Sequence, residues 1–147
     1  MENQVVKEKL KKNQKLLALW AADCAEHVLP YFEKKHPRDE RPRKAIEAAR
    51  DWAHGEIRAG QARKAALAAH AAARATEDPS ARATARAAGH AAATAHVASH
   101  SRGAAIYAAS AAGAAAIFEE NTWQKNRLKK SLRKIILARH PRIKQIL

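Results

Sequence analysis

Apolar positions recur along most of the chain at intervals of three and four, the spacing that gathers them on one side of a helix. Over residues 3–29 they are Val6, Leu10 and Leu17, then Leu16, Leu19 and Trp20, which predicts one long helix or two abutting ones. At about 100° per residue, Asp23 and His27 fall on the stripe of Leu16, Leu19 and Trp20, an unexpected place for a polar pair. Pro30 disturbs the next turn, and Lys34-Lys35-His36-Pro37 closes the segment. Asp39-Glu40-Arg41-Pro42 sets acids before a proline near the first helical position, a helix start. The second helix is expected to reach about Ile57, burying Ile46, Ala49, Trp52, Ala53 and Ile57 and turning Glu47, Arg50, Asp51 and His54 the other way.

Gly60 breaks the chain, and a third helix to about Thr76 carries a narrow polar stripe of Arg63, His70, Arg74 and Glu77. Asp78-Pro79 is a cap signal, with Asp as N-cap and Pro at the first position. The fourth helix is expected to run to about Ser99, with Arg82, Arg86, His90, His96 and His100 in one arc of about 120°. Ser101-Arg102-Gly103 reads as a turn. A fifth helix then sets Ile106, Tyr107, Ile117 and Phe118 on one face and alanines on the other. A sixth, after Asn121-Thr122, aligns Leu128, Leu132, Ile135 and Ile136 against lysines and arginines and ends at His140-Pro141. The expectation is an all-α protein: a single helical domain over residues 1–147, a compact array of five to six helices.

Composition first contradicts this picture and then supports it. Leu, Ile, Val and Phe together make only 24 of 147 residues, and the formal charge is +14. So few large apolar residues with so much charge is the signature of disorder. However, 38 residues are alanine, and 29 of them lie among the 60 residues from Ala59 to Phe118. Alanine is the best helix former and loses no side-chain entropy on folding. Helices faced with it can approach to the low end of the usual separation of about 8–10 Å. Aromatics at 5% argue against a sheet protein. No apolar run is long enough to span a membrane. Five lysines between Lys7 and Lys15 precede Leu16-Leu17-Ala18-Leu19-Trp20-Ala21-Ala22, which mimics a secretory leader, but Asp23 and Glu26 follow at once. The lone Cys24 forms no internal disulfide and reads as a small buried apolar residue, so a cytoplasmic location is expected.

Three constellations are candidates for chemistry. His96 and His100 have the spacing of a shared metal pair, with His90 and His70 near in sequence. Residues 79–118 contain no carboxylate, and the arginines there would repel a cation, so no metal and no cofactor is expected. Asp23 can orient the imidazole of His27 beside Trp20. No nucleophilic serine motif, phosphate loop or paired carboxylate accompanies them, so a polar network joining helices is expected rather than an enzyme. From Asn121 onward there are nine Lys/Arg and no Asp/Glu. Lys125, Arg127, Lys129, Lys130, Arg133 and Lys134 form a basic patch on an amphipathic C-terminal helix over 125–147, a pattern for acidic surfaces or nucleic acid. Trp123 is the only aromatic there, which leaves base stacking unsupported. A short repeat, His70-Ala71-Ala72-Ala73 and His90-Ala91-Ala92-Ala93, recurs after 20 residues.

The segments Leu17-Ala18-Leu19-Trp20-Ala21-Ala22-Asp23-Cys24-Ala25-Glu26-His27-Val28-Leu29-Pro30 and Arg41-Pro42-Arg43-Lys44-Ala45-Ile46-Glu47-Ala48-Ala49-Arg50-Asp51-Trp52-Ala53 are distinctive. With Gly55-Glu56-Ile57, Ala69-His70-Ala71-Ala72-Ala73-Arg74 and Gly89-His90-Ala91-Ala92-Ala93-Thr94-Ala95-His96, they resemble the immunity proteins of prokaryotic polymorphic-toxin systems, the immunity-five-like family. The resemblance covers roughly residues 14–124 and includes Trp123-Gln124, then fades in the lysine-rich stretch where the family has a Leu-Pro segment. It implies a small cytosolic helical protein that protects its host by binding a cognate toxin without catalysis. It also implies that Trp20, Asp23, Glu47, Arg50, Trp52, His70, Arg74, His90 and His96 form a shared polar core or binding surface. Neither the toxin nor the oligomeric state is implied.

Overall fold

The structure, a computed structural model, describes residues 2–113, 116–128 and 132. Among these residues it is all helical, with α1 Glu2–Glu33, α2 Arg41–Ala53, α3 Ala59–Ala75, α4 Pro79–Ala93, α5 His100–Ala112 and α6 Ile117–Arg127. Helix α4 is the hub and packs against α1, α2, α3 and α5. It can do so because its sequence is almost all small residues. Ala81, Ala85, Ala87, Ala88, Ala91 and Ala92 are fully buried, so neighbouring backbones approach on several sides.

Large side chains come mainly from α1. Leu17, Trp20, Val28 and Leu29 enter the main core with alanines of α2–α5. Phe32 is fully buried against Ala72, Ala73, Ala81 and Ala85. That burial explains why α1 continues through Pro30 instead of closing before it. Proline removes one ladder bond close to the helix end, and seating Phe32 on the next turn offsets the loss.

Other boundaries differ from the expectations for local reasons. The second helix stops at Ala53, before Ile57, because Gly55 takes a left-handed φ of 77° that ends it. Gly60 instead lies inside the first turn of α3, whose start is tied by Arg58 N donating to Gln61 Oε1 at 3.0 Å. Asp78 caps α4 as expected, its Oδ2 accepting from Ala81 N at 2.8 Å. Helix α4 ends at Ala93 rather than Ser99. Gln14 Nε2 of α1 donates to the carbonyls of Thr94 and Ala95, at 2.9 and 3.2 Å, which satisfies groups a continuing helix would have used. His96 therefore lies in a connection, and it does not share a helix with His100. Residues 101–103 are helical rather than a turn. Helix α5 turns its alanines inward and leaves Ile106 and Tyr107 exposed. Gly113, at φ 82°, ends α5, and α6 begins at Ile117, ahead of Asn121-Thr122. Leu128 and Leu132 are buried. The rest of the expected C-terminal helix, including Lys129, Lys130, Arg133, Lys134, Ile135 and Ile136, lies outside the described residues.

Candidate functional site

The expected site residues separate into two clusters, a groove and two outliers. The first cluster joins α1, α2 and α6. Trp20, Asp23 and His27 follow at helical spacing and share one side of α1. Asp23 accepts from Arg50 Nη2 of α2 at 3.0 Å through Oδ1, and from Arg127 Nη2 of α6 at 2.7 Å through Oδ2. Glu26 takes a second bond from Arg50. Burial works against the Arg50 charge, but hydrogen bonds to Glu26 and Asp23 hold its pKa above the ordinary value. His27 Nδ1 lies 2.7 Å from Glu120 Oε2 of α6. The His27 ring stacks on Trp123, with centroids 3.8 Å apart and planes 12° from parallel. Arg127 lies 5.3 Å from the centre of the same indole, within cation–π range.

Behind this surface the junction is buried. Trp20 Nε1 donates to Gln124 O at 3.0 Å, and Gln124 Nε2 donates to Ala105 O of α5 at 2.9 Å and to Glu120 Oε1 at 3.2 Å. Gln124 is 0% and Glu120 5% exposed. Glu120, Trp123, Gln124 and Arg127 recur at three and four residues, so one face of α6 supplies these contacts. An open cleft of about 210 Å³ remains between Asp23, Glu26, His27, Trp123 and Arg127. Its carboxylates are held by guanidinium groups, an arrangement that ties helices and presents a mixed charged and aromatic surface.

The second cluster is a seam of imidazoles across α3, α4 and α5. His70 Nδ1 accepts from Arg86 Nη1 at 2.9 Å. The Nδ1 atoms of His90 and His100 share a hydrogen bond at 3.1 Å. The His70 and His90 rings meet edge to face with centroids 5.3 Å apart, and His90 stacks on Tyr107 at 5.2 Å. Glycine makes these contacts possible. A Cβ on Gly89 would lie 2.7 Å from the His70 ring, and one on Gly103 would lie 2.6 Å from His90 Nδ1. Each histidine thus sits over a glycine of the next helix, which gives the 20-residue His-Ala-Ala-Ala repeat a packing meaning. Burial, with His70, His100 and the Arg86 guanidinium beside it, pushes the His90 pKa down to about 4. Burial also lowers His70, helped by Arg86 and Arg74, and lowers His100, helped by His96. The seam is therefore neutral at pH 7 and sits beside a guanidinium. Among the described residues no group of three or more His, Cys, Asp or Glu could hold a metal ion.

Trp52 and His96 line a separate groove at one end of the bundle. Glu47 and Arg74 are exposed and join neither cluster by a hydrogen bond, although the Arg74 charge reaches His70. Lys125 and Arg127 are exposed at the end of α6. Periodicity alone does not single out Glu26, Glu120 or Gln124. The one available signal is that Glu120, Trp123, Gln124 and Arg127 share a stripe. Cys24 is buried, and burial, reinforced by Glu120 and Asp23, pushes its thiol well above the usual range. No helix among the described residues is long and apolar enough to cross a membrane.

A family model described as Imm-5 like putative immunity protein matches residues 8–131. No curated protein and no solved structure matches the chain.

Proposed function

The chain belongs to the Imm-5-like immunity protein family, and from that premise we propose that it is a non-enzymatic module that neutralises a cognate toxin by docking on it in the cytoplasm. The observation that carries this reading is the extent of the match. Residues 8–131 take in all six helices or most of each, with the α1–α2–α6 junction and the imidazole seam. The geometry agrees with a binding role. The charged and imidazole side chains at both clusters pair mainly with one another, as in parts that hold a surface in shape. The half-buried Trp123 and the exposed Arg127 are residue types that anchor interfaces.

Affinity capture with the product of the neighbouring gene, tested as the candidate toxin, tests the proposal. The expected outcome is a stable complex, together with survival of cells that express the toxin alongside this chain. No complex and no protection would sink it.

A further inference from the structure

At one end of the bundle α1 overhangs the α2–α3 and α4–α5 connections. Residues 3–12 of α1 are exposed, and Gln14 pins the helix to the Thr94 and Ala95 carbonyls just beyond them. Here lies a groove of about 640 Å³. Its lining combines the cations Lys7, Lys11, Lys15 and Arg58 with apolar Leu10, Trp52 and Ile57, and no carboxylate lines it among the described residues. Lys7, Lys11 and Lys15 repeat every four residues, so they form a stripe with about 6 Å of helix rise between neighbours. Like charges at this spacing weaken a helix. Glu8 on the same helix offsets part of that repulsion, and an outside anion would relieve the rest. Leu10, beside Lys11, is 54% exposed and adds apolar surface at the same place.

We propose that this groove docks an acidic amphipathic helix of a partner protein, carrying carboxylates one turn apart beside apolar side chains. On the toxin-binding reading above, that helix belongs to the toxin. A partner helix repeats its own side chains at the spacing of the lysine stripe, so several carboxylates can meet ammonium groups together. The apolar lining then receives the partner's aliphatic side chains. Complementary charge would also speed encounter. A protein fits better than a nucleic acid because Trp52 is only 9% exposed and offers little ring face for base stacking, which leaves His96 as the one exposed ring in the lining among the described residues.

The test uses the full chain and a fluorescein-labelled helical peptide built of glutamate and leucine. The wild type is expected to bind it, less tightly as salt rises. Combining Lys7→Gln, Lys11→Gln and Arg58→Gln should weaken binding about tenfold, the sum of several modest exposed charge pairs, with an unchanged circular dichroism spectrum. Leu10→Ser should weaken binding while leaving the salt dependence intact. Equal peptide affinity of wild type and triple variant overturns the proposal. So does a single-stranded oligonucleotide that binds more tightly than the peptide through the same residues. Toxin captured equally by wild type and triple variant also overturns it, while leaving the toxin-binding reading standing. Peptide bound at the groove with no toxin captured keeps the groove as an acidic-protein site and sinks the toxin reading.

Discussion

On the α3–α5 side, helices meet through alanine and glycine, and the polar groups between them are imidazoles held neutral. On the α1–α2–α6 side, they meet through carboxylates and guanidinium groups around Trp20 and Trp123. The two sides differ in the reach of the polar side chains that join their helices. Where Gly89 and Gly103 let a ring rest on a neighbouring backbone, a compact polar group fits and a long one does not. Desolvation then selects its neutral form. Where the helices are bridged by long side chains, Arg50 and Arg127 reach Asp23 from two other helices, and the charges stay partly in water. The seam should therefore answer to protons and to volume, and the junction to salt.

Acid gives the largest expected effect. An unfolded histidine takes up its proton near pH 6.5, whereas folded His90 does so only at about 4, and folded His70 and His100 also lie below the ordinary value. Between those limits the unfolded chain binds more protons. The seam's contribution is complete above about pH 6.5 and declines as pH falls toward about 4. Thermal melts across this window should show a steadily falling midpoint. His90→Asn, which cannot take the proton, should flatten the slope more than any change in absolute stability at neutral pH. An unchanged slope in that variant would remove His90 from the explanation.

Volume comes next. Gly→Ala in a helix ordinarily gains about 1 kcal/mol. At Gly103 the new methyl would meet His90 Nδ1 at 2.6 Å and Cγ at 2.8 Å. The His90 ring has little room to retreat, with His70, His100 and Tyr107 at 5.3, 5.2 and 5.2 Å between centroids. Gly103→Ala should lose about 1–3 kcal/mol to overpacking, which cancels or exceeds the propensity gain. Gly60→Ala, with open space around it, should be neutral or slightly stabilising. His90→Ala in the Gly103→Ala background should recover part of the loss, seen as a coupling in denaturant melts. If Gly103→Ala and Gly60→Ala behave alike, close contact does not define the seam.

Much of the fold is legible in the residues because helix periodicity and Asp78-Pro79 are local signals. What escapes is whatever another element decides. Thr94 looks like the middle of a helix until Gln14, eighty positions earlier, takes its carbonyl. Ile106 and Tyr107 look like a buried face by size, yet close packing gives the inside to alanine. The junction is half visible. Asp23 and His27 stand out as polar groups on an apolar stripe, but Glu120 meets His27 across 93 residues, and no spacing rule reaches that far. Histidine spacing likewise suggests a His96–His100 pair, whereas the contact that forms is His90–His100, because the chain turns between α4 and α5.

Salt should produce the smallest effect, and it separates the two sides most cleanly. Arg50 is 29% exposed and bridges Asp23 and Glu26. Arg50→Ala leaves those carboxylates near each other with Arg127 still on Asp23. Because partly hydrated pairs contribute little, the loss should be about 1 kcal/mol at low ionic strength. It should shrink as salt approaches about 1 M, where screening acts over about 3 Å. The Gly103→Ala penalty, being steric, should not move over the same range. Chemical denaturation in urea, which adds no ions, can follow both variants across a salt series. If the Arg50→Ala loss holds constant with salt, the guanidinium acts by packing its stem rather than by charge, and the junction would resemble the seam after all.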